Sequence, residues 1–349
     1  MSRLALTLVL GCLVGSCPRD GLWIDEEQAF QGPVEASLRG VCATAEALWA
    51  SGSGGTVLRS TDDGASWQIL TVAGAAELDF RDVQAFDAER ALVLASGPGE
   101  ASRVYRTLDG GASWTETLRN PDPEGFFDGF AFWSPSRGVL YGDPVDGRFS
   151  VWTTRDGGLS WRRAAPEGLP LALEGEHAFA ASGTGIATFG EQRAWFVTGG
   201  AVARVFRTED GGASWRVAPV PVAQGRASAG AFGVAFFSRH RGVVVGGDYE
   251  RPDEEEGTLA FSTDGGRSWR AAEVPCNGYR SGVAAWRSGV VLAVGPNGTD
   301  FLDCNAETRD TSLHGGHSIS PAPEPVKQRN RRAWVSGAGG RLFEVGASD

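Results

Sequence analysis

Beyond residue 20 the apolar positions fall in short runs broken by glycine, and no stretch holds the 3.6-residue period of an amphipathic helix. Seven such runs enter a glycine turn, at residues 47–52, 91–97, 138–142, 194–199, 242–246, 289–295 and 333–337. Another apolar run precedes several of them, as at 83–86, 129–133, 233–237 and 282–286. Five of the units then carry Ser/Thr-x-Asp-x-Gly-x-Ser-Trp, centred on Asp62, Asp109, Asp156, Asp210 and Asp264 and closing on Trp67, Trp114, Trp161, Trp215 and Trp269. Successive aspartates lie 47, 47, 54 and 54 residues apart. A fixed period of this length marks a repeat architecture. Four short strands per unit predict an all-β, seven-bladed β-propeller of four-stranded antiparallel blades.

The turn chemistry has a physical reason. The Asp carboxylate can accept N–H groups of its own turn, and Gly two residues later takes positive φ without steric cost. The Trp then opens the outer strand and packs its ring on the neighbouring repeat. One carboxylate per turn falls short of the several oxygens a calcium ion needs, so these five aspartates are expected to be structural. The sixth unit has a degraded turn between residues 303 and 313, and the seventh runs out near Val345 at its third strand. Trp23 stands 44 residues before Trp67, close to one repeat. Residues 22–24 are therefore expected to close the ring as the outer strand of the last blade, with 18–349 forming one domain.

Composition narrows the function classes. The chain has 349 residues with 32 basic and 43 acidic side chains, a net charge of −11, and Lys327 is its one lysine. Phosphate affinity comes from clustered cations, so nucleic acid is not an expected partner. A phosphate loop or Schiff-base lysine lacks raw material, and no cofactor motif is present. His314 and His317 have metal-like spacing but no adjoining thiol or carboxylate cluster, so no metal is expected.

Residues 1–17 read as an export signal: Arg3, an apolar run from Leu4 to Val14, then Val14-Gly15-Ser16-Cys17, which resembles a lipobox. The run is too short to span a bilayer. Lipidation of Cys17 would place a monomeric protein in the periplasm or on the outer surface, touching the membrane through its lipid alone; plain cleavage of a secretory signal is the alternative. Cys42, Cys276 and Cys304 would remain, with Cys276–Cys304 the pair to test.

Strand order sorts the loops. The aspartate turns share one face with the first-to-second-strand loops; the second-to-third loops and the between-blade loops share the other. That second rim carries Arg81, Asp82, Arg103, Asp128, Asp143, Asp146, Glu176, Arg204, Arg226, Asp248, Tyr249, Tyr279 and Arg280. These charges either pair with one another and brace the loops, or present guanidinium forks to a polar or anionic ligand or a protein partner.

The turns resemble the Asp-box of bacterial neuraminidase repeats. Together with Leu38-Arg39-Gly40 and Gly142-Asp143-Pro144, they make nearly the whole mature chain similar to the bacterial propellers grouped with photosystem II stability/assembly factors. The resemblance implies a non-catalytic ring that assists assembly of membrane protein complexes. A sialidase-like glycoside hydrolase, or another hydrolase or lyase on the same rim, is the competing reading. In it Arg81, Arg204 and Arg280 would hold a carboxylate, Tyr279 and Glu176 would form the nucleophile pair, and Asp82 or Asp128 would be the acid. The sialidase Arg-Ile-Pro signature is absent.

Overall fold

The computed structural model describes residues 22–25, 34–287, 289–304, 308–312, 316–321 and 330–348. Residues 1–17, read above as an export signal ending in Cys17, and His314 and Lys327 lie outside the described residues.

The fold is an all-β propeller built from four-stranded antiparallel blades. Six sheets among the described residues have four strands and one has six. The first sheet runs Leu38–Ala43, Leu48–Gly52, Thr56–Ser60 and Gln68–Thr71, and the second Phe80–Ala85, Ala91–Ala95, Arg103–Thr107 and Thr115–Arg119, each a simple meander. The third, fourth and sixth follow the same plan. The six-stranded fifth sheet departs from the uniform pattern because Glu176–His177 and Gly199–Gly200, both from the preceding unit, add to the inner edge of Ala229–Phe236 through the Gly199↔Gly230 pair. In the last sheet Leu22–Asp25 runs antiparallel to Leu342–Ser348, with Leu22 opposite Ala347.

The second strands are buried on both faces, so they read as continuous apolar runs where a half-exposed strand would alternate. Buried apolar side chains of the described residues fall in seven clusters, each shared by two consecutive sheets. The cluster of Leu38, Trp334 and Leu342 joins the last sheet to the first.

Each repeated turn is self-contained. In the second sheet Thr107 Oγ1 donates to Asp109 Oδ1 at 2.8 Å, Ser113 N–H to Oδ1 at 2.9 Å and Ser113 Oγ to Oδ2 at 2.6 Å. The Ser113 hydroxyl, then its N–H, hold Asp109 down to about 2. The same bonds recur around Asp62, Asp156, Asp210 and Asp264. The second turn glycine docks on the preceding sheet: a Cβ on Gly111 would lie 2.4 Å from Leu70, and one on Gly64 2.4 Å from Trp334.

Cys276 and Cys304 pack in one cluster without a disulfide between them, and Cys42 is likewise not in a disulfide. The Cys304 thiol donates to the Leu302 carbonyl at 3.8 Å.

Candidate functional site

The innermost strands line a central cavity of about 290 Å³, bounded by Cys42, Asp82, Thr184, Val234, Val283 and Ser318 among others. At the head of four of these strands the pairing register slips by one residue, between Leu38 and Gly40, Phe80 and Asp82, Phe127 and Gly129, and Ala231 and Gly233. A bulge re-aims the extra residue. The four extra residues are Arg39, Arg81, Asp128 and Phe232, so one backbone device recurs to place the side chains at the channel mouth. The sequence hint is an apolar residue, the bulged residue, then Gly or Asp.

The segment 178–184 lies across that mouth. Arg81 Nη1 donates to the Ala180 carbonyl at 3.1 Å, and Ser182 Oγ donates to the Ser281 carbonyl at 2.6 Å. Ser318 Oγ donates to the Ser182 carbonyl at 2.7 Å, and the Val234 and Val283 N–H groups donate to Thr184. Four other sheets thus hold one loop of the fourth unit. Gly183 has φ +71 and its Cα sits so close to Asp82 that a Cβ would meet Oδ1 at 2.3 Å. The Asp156–Asp210 spacing of 54, against 47 before it, is the sequence trace of this extra loop. Its course was not legible, because its bonds go to backbone groups of distant units.

Charge at the mouth is divided. Arg39, Arg81 and Arg341 all act on His317, which burial first, then Arg39 and Arg81, pull down to about 4. Arg81 pairs with Asp79 at 2.6 Å, whereas Arg39 Nε is buried without a hydrogen-bond partner among the described residues. On the third sheet Asp128 is 2% exposed and raised well above the ordinary carboxyl range by burial, then by Asp143. Burial also raises Asp143, which accepts the Ala178 N–H at 2.8 Å. Asp82 lies in the cavity wall, where desolvation lifts it to about 7 against the Phe130 N–H it accepts at 3.0 Å.

The remaining rim candidates do not converge. Arg204 pairs with buried Glu176 and donates to the Leu171 carbonyl at 2.8 Å. Arg103 meets Glu116 at 3.4 Å on the outer part of its blade, and Arg226 meets Asp248 at 3.2 Å. Arg280 is fully buried against Asp300 at 2.8 Å, inside the sixth unit and away from the rim. Asp146 is an exposed turn residue with φ 54. Tyr249 and Tyr279 do come together, with ring centroids 6.5 Å apart, beside Phe232 and Phe179. Phe179 and Phe232 were invisible as site residues, since a lone Phe in an apolar run reads as core. Among the described residues no group of three His, Cys, Asp or Glu side chains is arranged to hold a metal ion.

No protein-family model matches the chain, and no curated protein matches it. Among solved structures, YCF48 bound to D1 peptide is 15% identical, with 92% of this chain and 96% of that chain covered at a TM-score of 0.64. YCF48 from Cyanidioschyzon merolae is 15% identical, covering 90% and 97% at 0.53. The WD40 β-propeller domain of Doa1 is 14% identical, covering 95% and 98% at 0.61. At such identities the likeness is one of fold, and by fold this chain is a β-propeller similar to YCF48 and to WD40 propellers.

Proposed function

We propose that the chain is a non-catalytic binding or assembly propeller that works outside the cytoplasm, anchored through a lipidated Cys17, and holds a segment of a protein partner on its channel-mouth face. The ring proposed for it has seven blades, with Leu22–Asp25 completing the last. The pairing of that strand with Leu342–Ser348 and the seven intersheet clusters support this architecture.

The observation that carries the functional reading is the private pairing of the arginines. Arg81, Arg204, Arg226 and Arg280 each meet a carboxylate of their own, and Arg103 shares Glu116 with Arg119. A sialidase-type site needs several guanidinium groups on one point and a tyrosine activated by a carboxylate. Tyr279 instead packs against Phe232 and Tyr249, and burial raises its hydroxyl far above the ordinary range. The YCF48 structure with a bound D1 peptide makes a peptide segment the class of ligand we carry over to this chain. Affinity capture from native membranes with crosslinking tests the reading: a partner recovered by the wild type and lost with Arg81→Ala supports it, and identical recoveries remove the mouth as the docking surface. Turnover of a fluorogenic sialoside that vanished in Tyr279→Phe would establish the glycosidase reading in its place.

A further inference from the structure

The direction of Leu22–Asp25 fixes the side on which the chain enters the ring. This strand runs antiparallel to Leu342–Ser348, the third strand of the last sheet, with Leu22 opposite Ala347 and Asp25 opposite Glu344. In the first five sheets the third strand finishes at an aspartate turn. The side on which Leu342–Ser348 ends, and on which Leu22 begins, is therefore the aspartate-turn side. Pro18, Arg19, Asp20 and Gly21 alone separate Leu22 from Cys17. Five fully extended residue steps reach at most about 18 Å. From Leu22 back to the mouth lie about 17 Å of strand, Ala347 to Leu342, and then the loop 337–341 beyond it. A lipid on Cys17 is thus used up before it clears the mouth, and it meets a bilayer on the aspartate-turn side or along the flank of the last blade.

Two exposed leucines decide between those placements. Leu108 and Leu159, in the second and third aspartate turns, are 56% and 57% exposed. The equivalent places in the fourth and fifth turns hold Glu209 and Arg267, which touch at 3.1 Å across the junction of their sheets. By the same repeat geometry Leu108 and Leu159 stand side by side as an apolar pair, where the remaining turns carry Thr, Arg or Ala. They project from the aspartate-turn face on sheets far round the ring from Leu22. The mouth has exposed apolar side chains of its own, Leu171, Leu173 and Tyr249, so exposure alone does not separate the faces; the short tether does.

We propose that the aspartate-turn face lies on the lipid bilayer, with Leu108 and Leu159 set into its headgroup layer, and that the channel mouth points away from the membrane. The inference rests on the anchored reading above and adds the face that touches the lipid. A second contact beside an acyl chain makes membrane attachment stable, and this placement leaves the mouth open to a partner segment.

Hydrogen exchange of the lipidated full chain in phosphatidylcholine vesicles tests it, with the Cys17→Ser chain in the same buffer as reference. Expected is at least threefold slower exchange at 107–114 and 154–161 on vesicles, with 143–148 and 249–256 unchanged. Combining Leu108→Ser with Leu159→Ser should abolish the slowing while flotation with vesicles and the urea midpoint stay as in the wild type, because both side chains are exposed. Slowing at 249–256, slowing confined to 22–25 and 342–348, or slowing that survives the double substitution would each overturn the proposal. A wild type that floats without slowing at either turn leaves the anchor standing and removes the face alone. A wild type that does not float removes both. Slowing of the same turns in the concentrated chain without vesicles would assign the leucines to a second copy of this chain and equally overturn it.

Discussion

Asp82 is 7% exposed, and its carboxyl is lifted to about 7 by loss of water, the Phe130 and Val83 N–H groups opposing. The folded value lies above the ordinary 3.8. The stability tied to its protonated form is therefore complete below about pH 4 and is lost as pH rises through 7. In that window the group alone removes about 1.4 kcal/mol per pH unit. Asp82→Asn keeps an acceptor for Phe130 and cannot ionise, so its urea midpoint should fall less steeply than the wild type between pH 5 and 7. Asp128 and Asp143 are shifted the same way and leave a residual slope. Parallel profiles would show Asp82 to be ionised throughout. The thiols give a second residue-scale expectation. Burial pushes Cys42 up to about 11 and Cys276 well above its ordinary value. Since the thiolate is the reactive form, iodoacetamide at pH 8 should leave Cys42, Cys276 and Cys304 unlabelled in the native protein and modify all three in urea; native labelling of Cys276 would contradict its burial.

Single elements show why the turns were legible and the mouth was not. Gly111 has φ +86 and would drive a Cβ into Leu70, whereas Gly74 has φ +74 and open space around it. Gly74→Ala should cost about 1 kcal/mol, the backbone share alone. Gly111→Ala should cost about 2–4 kcal/mol, because a packing clash is added. Equal losses in urea denaturation would mean that the turn does not key into the preceding sheet. This double demand, φ and space, is what keeps Gly at each second turn position and made five turns readable. At the preceding position Asp63 stands with φ 58 where the other four turns have Gly. The second strands were equally plain, since burial on both faces leaves a continuous apolar run. The bulges were not, because a one-residue slip changes where Arg39 or Phe232 points without changing which residue types are present. Sequence reasoning set Arg280 and Asp82 on a rim for the same reason: alternation predicts a side, not a depth.

At the scale of the molecule, two devices of different reach act on the ring. The loop 178–184 ties the fourth unit to the second, fifth, sixth and seventh sheets through Arg81, Thr184, Ser182 and Ser318. Leu22–Asp25 covers one edge, the outer side of Leu342–Ser348. A ring braced across its channel should survive loss of the outer strand, because the cluster of Leu38, Trp334 and Leu342 and the Ser318–Ser182 bond still hold the last sheet. Removing residues 22–25 exposes a row of unpaired backbone groups, and at about 1 kcal/mol for each lost hydrogen bond the expected loss is about 2–4 kcal/mol. Hydrogen exchange should then accelerate in 330–336 and 342–348 while the strands at 91–95 and 242–248 keep their protection. Adding Ser182→Ala to the truncation should spread the acceleration into the sixth sheet, at 290–295, since the brace to Ser281 is gone. Uniform acceleration in every sheet on truncation alone would show that the outer strand, and not the loop across the mouth, holds the ring together.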